Sequence, residues 1–332
     1  MKRIISTALL ALILVVGAVG CSSSDGDGGG NGGGGSASDP DAIQIATGGT
    51  SGVYYPLGGG MANIFSEKMD IKASAQTTGA SVENMQLLSK GSVQVAFTQN
   101  DILEYAVNGG EEKVLKEKLD KIQAVGALYP EIIQLVVLAD SDIQSIQDLK
   151  GKKVSVGAAG SGNEANSRQI LEAAGLSYDD IKPEFKSYGD SADAFKDGGI
   201  DAMFVTSGIP NSAVQDIAVT KGVRVLGLDD DIIKKIKDKY PFYIDSAIPD
   251  GSYEGQKGEV KTVAVLASLA VNSDLSEDFV YNLTKSLFEN LEELEKTNAK
   301  ASEIELKKAL EGITVPVHPG AEKYYKEKGI EK

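Results

Sequence analysis

Short runs rich in β-branched residues alternate with helix-length segments through most of this chain, and that cadence restricts the fold more than any other feature. Strand-like runs stand at residues 43–47, 71–76, 93–98, 122–128 and 132–139, then again at 154–157, 182–188, 202–206 and 223–228. Stretches such as 81–90 and 111–118 read as the helices between them. A strand-then-helix repeat predicts an α/β architecture with parallel sheets covered on both faces. The C-terminal third changes character: an apolar run at 260–271 precedes helix-like segments at 276–296 and 302–312.

At two points in the cadence a strand empties into glycines and then into a helix. The first loop runs from Thr47 through Gly48, Gly49, Thr50, Ser51, Gly52 and Val53 to the pair Tyr54 and Tyr55. The second runs from Gly157 through Ala158, Ala159, Gly160, Ser161 and Gly162 to Asn163. Glycine permits positive φ and close backbone approach, and a helix start offers unpaired N–H groups with a positive dipole end. Ligands of parallel sheets collect at the carboxyl ends of strands, where both loops fall. The segment from Asp148 to Val154 reads as the entrance to a second unit, so the loops are expected to face one another across a cleft.

The expected site is therefore a small-carboxylate pocket. Backbone N–H groups of Gly49, Thr50, Gly52 and Val53 take one side of the ligand, and Tyr54 adds a hydroxyl. Ser161, Gly162 and Asn163 approach from the opposite unit, with Thr206 and Ser207 at the end of a further strand. The body holds only two arginines, Arg168 and Arg224, neither in a glycine loop. The usual bidentate clamp on a carboxylate is thus missing unless Arg168 reaches back along its helix. Asn84 reads equally as a helix cap, a supporting residue or a contact. Gln99 and Asn100 either line the cleft or cap a helix. Tyr243 and Tyr253 read as hinge packing, and His318, beside Pro319 and Gly320, as structural.

The N-terminus fits an export signal over residues 1–20: Lys2 and Arg3, then an apolar run too short for a permanent span. The small residue before Cys21, the sole cysteine, resembles the lipidation site of bacterial lipoproteins. Residues 22–40, almost all Ser, Gly, Asp and Asn, then form a flexible tether, so that 21–40 carries the anchor and its leash. With 33 basic and 48 acidic residues the net charge is −15, and −17 once Lys2 and Arg3 leave with the signal. That surface argues against nucleic acid and anionic lipid as partners. One histidine and one cysteine, with no nucleophile elbow, phosphate loop or zinc motif, argue against an enzyme and predict no cofactor or metal.

Several blocks in order make the body similar to TAXI-type solute-binding proteins, the extracytoplasmic receptors of one branch of the tripartite ATP-independent periplasmic (TRAP) transporters. They are the Gly49-to-Gly60 loop, Thr78 to Asn84, Leu128 to Glu131, Gly157 to Glu164, Asp201 to Phe204 with Ser207 to Pro210, Val280 to Thr284, and His318 to Glu327. Asn163 and the pair Ala158 and Ala159 depart from the usual residues of that family. The resemblance implies a two-lobed periplasmic-binding-protein fold, type II-like, with hinge crossings near 131–139 and 255–268. Lobe 1 then comprises 41–137 with 253–332, and lobe 2 comprises 138–252. It further implies a monomeric receptor that closes on a small carboxylate, such as glutamate, glutamine or a dicarboxylate. The lipid-anchored receptor would deliver its cargo to TRAP permease subunits driven by an ion gradient. A sensor for a signalling partner and a structural surface lipoprotein are the alternatives.

Overall fold

A computed structural model of the chain describes residues 39–331, and within them ten strands form one sheet. The first half runs β1 (Ala42–Ala46), α1 (Tyr54–Met69), β2 (Lys72–Gln76), α2 (Ser81–Ser89), β3 (Val95–Gln99), α3 (Asn100–Asn108) and a long β4 (Ile122–Leu138). Next come β5 (Lys153–Ser155), α4 (Gly162–Ala173), β6 (Lys182–Glu184), α5 (Tyr188–Lys196) and β7 (Ala202–Ser207). They are followed by α6 (Ser212–Lys221), β8 (Val223–Leu226), α7 (Asp230–Lys239) and β9 (Ile244–Ile248). β10 (Val260–Asn272) then precedes α8 (Glu277–Phe288), α9 (Leu291–Glu295) and α10 (Pro319–Glu327). The signal, Cys21 and the tether up to residue 38 lie outside the described residues.

The sheet order is β2-β1-β3-β10-β4-β7-β5-β6, with β8 beside β4 and β9 beside β10. β1 pairs in parallel with β2 and β3, and β5 in parallel with β6 and β7, as the cadence predicts. β4 and β10 break the pattern by running antiparallel to each other from Ile122 opposite Asn272 to Ile132 opposite Ala264. β4 continues into antiparallel pairing with β7 and β8, while the start of β10 pairs with β9. The apolar cores follow this division. One cluster draws mainly on residues 43–129 and 267–325, and two others on residues 133–265. Among the described residues no helix is long and apolar enough to cross a membrane.

Several local expectations need correction. In place of two strands over 122–128 and 132–139, β4 is continuous through Pro130, which lacks an N–H donor. Pro130 sits opposite Leu266, where the β10 register shifts between Leu266 and Ser268, a place where a missing donor is tolerated. Residues 111–118 form turns, since Val114 and Leu115 are adjacent in sequence and give a helix no apolar stripe. The strand expected over 182–188 stops at Glu184, and the Ser187 hydroxyl caps α5 by accepting the Asp190 N–H at 3.2 Å. The helix expected over 276–296 divides into α8 and α9, where the Asn290 side chain donates back to the Ser286 carbonyl at 2.8 Å. Residues 302–312 hold only short 3₁₀ turns.

His318 is structural, as expected: its Nδ1 accepts the Gly320 N–H at 3.2 Å and caps α10. Gly320 lets α10 lie directly on α8, because a Cβ there would stand 2.2 Å from the Glu277 carbonyl oxygen and 2.6 Å from the Tyr281 nitrogen. Both obstacles are backbone and cannot rotate away. Gly320→Ala is therefore expected to destabilise the protein by about 1–3 kcal/mol, read as a lowered midpoint in urea with an unchanged slope.

Candidate functional site

The carboxyl ends of β1, β3, β5, β6 and β7 open onto one cavity of about 280 Å³. Four helices begin at its wall: α1 after the first glycine loop, α2 after Thr78 to Ala80, α4 after the second loop and α5 after Lys186 and Ser187. Each start brings a positive dipole end. All ten residues predicted from sequence line this cavity: Gly49, Thr50, Gly52, Val53, Tyr54, Ser161, Gly162, Asn163, Thr206 and Ser207.

Their individual chemistry differs from expectation in three places. The Gly52 N–H donates to the Gly49 carbonyl at 3.0 Å and closes the turn, so it is not free for a ligand. Gly49, Thr50 and Val53 have no backbone acceptor for their N–H groups among the described residues. The Tyr54 hydroxyl donates to Glu131 Oε2 at 2.8 Å, while its ring stacks on Phe97 with centroids 4.9 Å apart. Tyr54 thus offers the cavity an aromatic wall, with its hydroxyl turned to a carboxyl group. The Ser161 hydroxyl donates to the Ala158 carbonyl at 2.7 Å and accepts the Glu164 N–H at 3.0 Å, which commits it to capping α4. Asn163 donates to the Phe204 carbonyl at 3.0 Å, and its Oδ1 is buried without a partner.

Both glycine loops line the cavity, and each also contacts a helix start from the opposite half. The Gly160 carbonyl accepts the Val82 and Glu83 N–H groups, both at 3.1 Å, at the beginning of α2. The Ser51 carbonyl accepts from Ser212 Oγ at 2.9 Å and Asn211 Nδ2 at 3.4 Å, at the beginning of α6. Gly162 lies so close to Gln99 that a Cβ there would fall 1.7 Å from Gln99 Oε1. Farther out, Asn166 donates to buried Asp101 at 2.9 Å and Lys113 pairs with Glu172 at 2.6 Å.

Asn84 is a support: it donates to the Thr47 and Phe97 carbonyls at 2.6 and 2.8 Å and fixes the ends of β1 and β3. The Tyr253 hydroxyl donates to Gln134 and accepts the Asn211 N–H. Arg168 is held by Glu164 at 3.3 Å, and Arg224 by Gln144 and two carbonyls; neither lines the cavity.

Sequence reasoning gave no role to Glu131 or Tyr188 and left Gln99 undecided, yet all three line the cavity. Tyr188 follows β6, so the same rule about strand ends would have found it. Glu131 was marked by a carboxylate standing inside an apolar run. Its side chain is buried, and burial pushes its pKa up to about 8; hydrogen bonds from Tyr54 and Gln99 offset this only in part, and the Asp101 charge adds to it. Burial likewise raises Asp101 to about 6. Among the described residues no cluster of His, Cys, Asp and Glu is arranged to hold a metal ion.

The fold is that of the two-lobed periplasmic binding proteins. It is similar to the alkanesulfonate-binding protein SsuA of Xanthomonas axonopodis pv. citri, with 15% identity, a TM-score of 0.51, and 81% of this chain and 86% of that one covered. A protein of Bordetella bronchiseptica RB50 matches at 15% identity and a TM-score of 0.54, over 87% of this chain and 98% of that one. The binding-protein component of an ABC phosphonate transporter from Pseudomonas aeruginosa matches at 13% identity and a TM-score of 0.51, over 80% of each chain. The profile of the NMT1-like family covers residues 45–329, and the chain belongs to that family.

A carboxyl whose pKa rises on folding holds an extra proton in the folded state between its unfolded and folded values. Stability is then greatest below the unfolded value and declines until the folded one is passed. For Glu131 that window runs from about 4.5 to about 8. The unliganded protein should lose a few kcal/mol across it, with Asp101 contributing at the acid end. Glu131→Gln should flatten the decline between pH 6 and 8, measured as unfolding midpoint against pH.

Proposed function

We propose that this protein is an extracytoplasmic solute receptor that captures a small carboxylate by clamshell closure and delivers it to a membrane permease. The observation that carries the reading is the cavity of about 280 Å³ on which four helix starts converge. Its size lies at the lower end of small-molecule sites, which suits a metabolite. In this reading lobe 1 is residues 41–137 with 253–332 and lobe 2 is residues 138–252. N–H groups of Gly49, Thr50 and Val53 hold the carboxylate from lobe 1, and the Gly162 and Asn163 backbone approaches from lobe 2. Thr206 and Ser207 complete the wall. Cys21 carries the lipid anchor on the outer side of a membrane.

Several charge-assisted hydrogen bonds at about 1.5–3 kcal/mol each exceed the roughly −8 kcal/mol of micromolar binding. The excess offsets the ordering of ligand and lobes. Ligand contacts made only when both lobes are in place shift the population toward the closed form. The blocks shared with TAXI-type receptors favour a TRAP permease as the partner. The fold likeness to an ABC phosphonate-binding component supplies the second reading, an ABC permease. Membrane subunits encoded beside this chain separate the two: a nucleotide-binding ATPase subunit would overturn the TRAP assignment.

Protein freed of carried-over ligand by unfolding and refolding should show a selective rise in melting midpoint with one or a few members of a small-carboxylate panel. At one hundred times the dissociation constant the gain is about 2.7 kcal/mol. No response to any member would overturn the reading. In the unliganded structure a Cβ at position 162 would fall 1.7 Å from Gln99 Oε1, the end of a side chain that lines the cavity. Gly162→Val is therefore expected to weaken ligand binding more than tenfold by displacing Gln99 from the cavity wall. Unchanged affinity would remove the second loop from the site.

A further inference from the structure

We propose that Glu131 is the subsite for a protonated amine, so that the cavity takes a ligand carrying an ammonium group and a carboxylate together. This rests on the receptor reading above and narrows it to one ligand chemistry. Glu131 lines the cavity with its side chain buried, one oxygen accepting the Tyr54 hydroxyl at 2.8 Å. Among the described residues no cation answers it: Lys186, the one cationic side chain of these that lines the cavity, pairs with Glu184 at 3.5 Å. The groups that act on Glu131 from α1, β3, β4, α5 and α3 are Tyr54, Gln99, Tyr129, Tyr188 and Asp101, and none supplies positive charge. Asp190 and Asp193 also line the cavity and add only negative groups.

A buried carboxylate without a countercharge is unfavourable and takes up a proton instead. An ammonium group reverses this, and it brings three donors that need acceptors. Glu131 supplies one. Gln99 Oε1 and Asn163 Oδ1, both buried in cavity-lining residues, are two acceptors with no partner in the unliganded chain. The N–H groups of Gly49, Thr50 and Val53 remain for the carboxylate, so the cavity holds complementary places for the two ends of a zwitterion.

A consequence follows for proton balance. In the empty protein at neutral pH Glu131 is mostly protonated. When R–NH₃⁺ arrives with its own protons, the Glu131 O–H bond breaks and that proton leaves to solvent, giving carboxylate and ammonium in contact. A plain dicarboxylate would require the opposite: Glu131 would keep its proton to donate, and binding would take protons up.

The test compares L-glutamate and L-glutamine with glutarate and 2-oxoglutarate, which lack the amine, by titration calorimetry in buffers of different ionisation enthalpy. An amino acid is expected to bind at least a hundredfold more tightly than either deaminated probe, with close to one proton released at pH 6.5. Its affinity should rise about tenfold per pH unit toward pH 8 and then level. Glu131→Gln keeps an acceptor for Tyr54 and should abolish proton release while weakening amino-acid binding at least a hundredfold. Should that variant fail to fold, the matched probes and proton count on the unaltered protein decide alone. Glutarate or 2-oxoglutarate binding as tightly as glutamate, proton uptake, or an unaffected Glu131→Gln would overturn this inference and leave the receptor reading intact. Silence from all four probes would overturn both.

Discussion

The antiparallel pairing of β4 with β10 is the constraint on which everything else depends. These two strands lie at the centre of the sheet, and each exchanges neighbours along its length: β4 passes from β10 to β7 and β8, and β10 from β3 to β9. A strand that is hydrogen-bonded throughout cannot act as a loose linker. The change of partners falls around Ile132 and Ala264 to Ala267. The register shifts of β10 fall beside that point. Bulges bend a strand and add local twist, so the irregularity that accommodates Pro130 also bends the sheet where partners change.

With the halves so joined, the site is a matter of electrostatic balance. Helix starts set positive potential around a buried carboxyl group, and the aromatic rings of Tyr54, Tyr129 and Phe97 keep water from relieving either. Backbone carbonyls do much of the locking between halves. Gly160 and Ser51 each meet a helix start on the other side. Such bonds replace bonds to water and are each worth little net free energy.

The cavity walls were legible because strand-glycine-helix junctions are written in residue types: every predicted site residue from Gly49 to Ser207 lies on one cavity. What the sequence could not show is which polar atoms remain free. Gly52 and Ser161 look identical on paper to their neighbours, yet a turn and a cap claim their donors. The direction of the Tyr54 hydroxyl depends on Glu131, 77 positions away, beyond any local pattern. In the fold, the α/β cadence was readable because period and composition are local. The continuity of β4 through Pro130 was not, since it depends on a bulge in a strand more than a hundred residues later.

The lateness of β10 has a consequence for how the chain acquires its structure. Until Val260 to Asn272 exist, β3 and β4 have no strand to fill the gap between them, and the main core lacks Leu269 and Val271. Local contacts within each strand-helix unit can form early, but closing the sheet demands pairings of very long sequence separation, a slow step in any chain. Synthesised from the N-terminus, this polypeptide therefore stays incomplete and unlocked until most of its length has emerged.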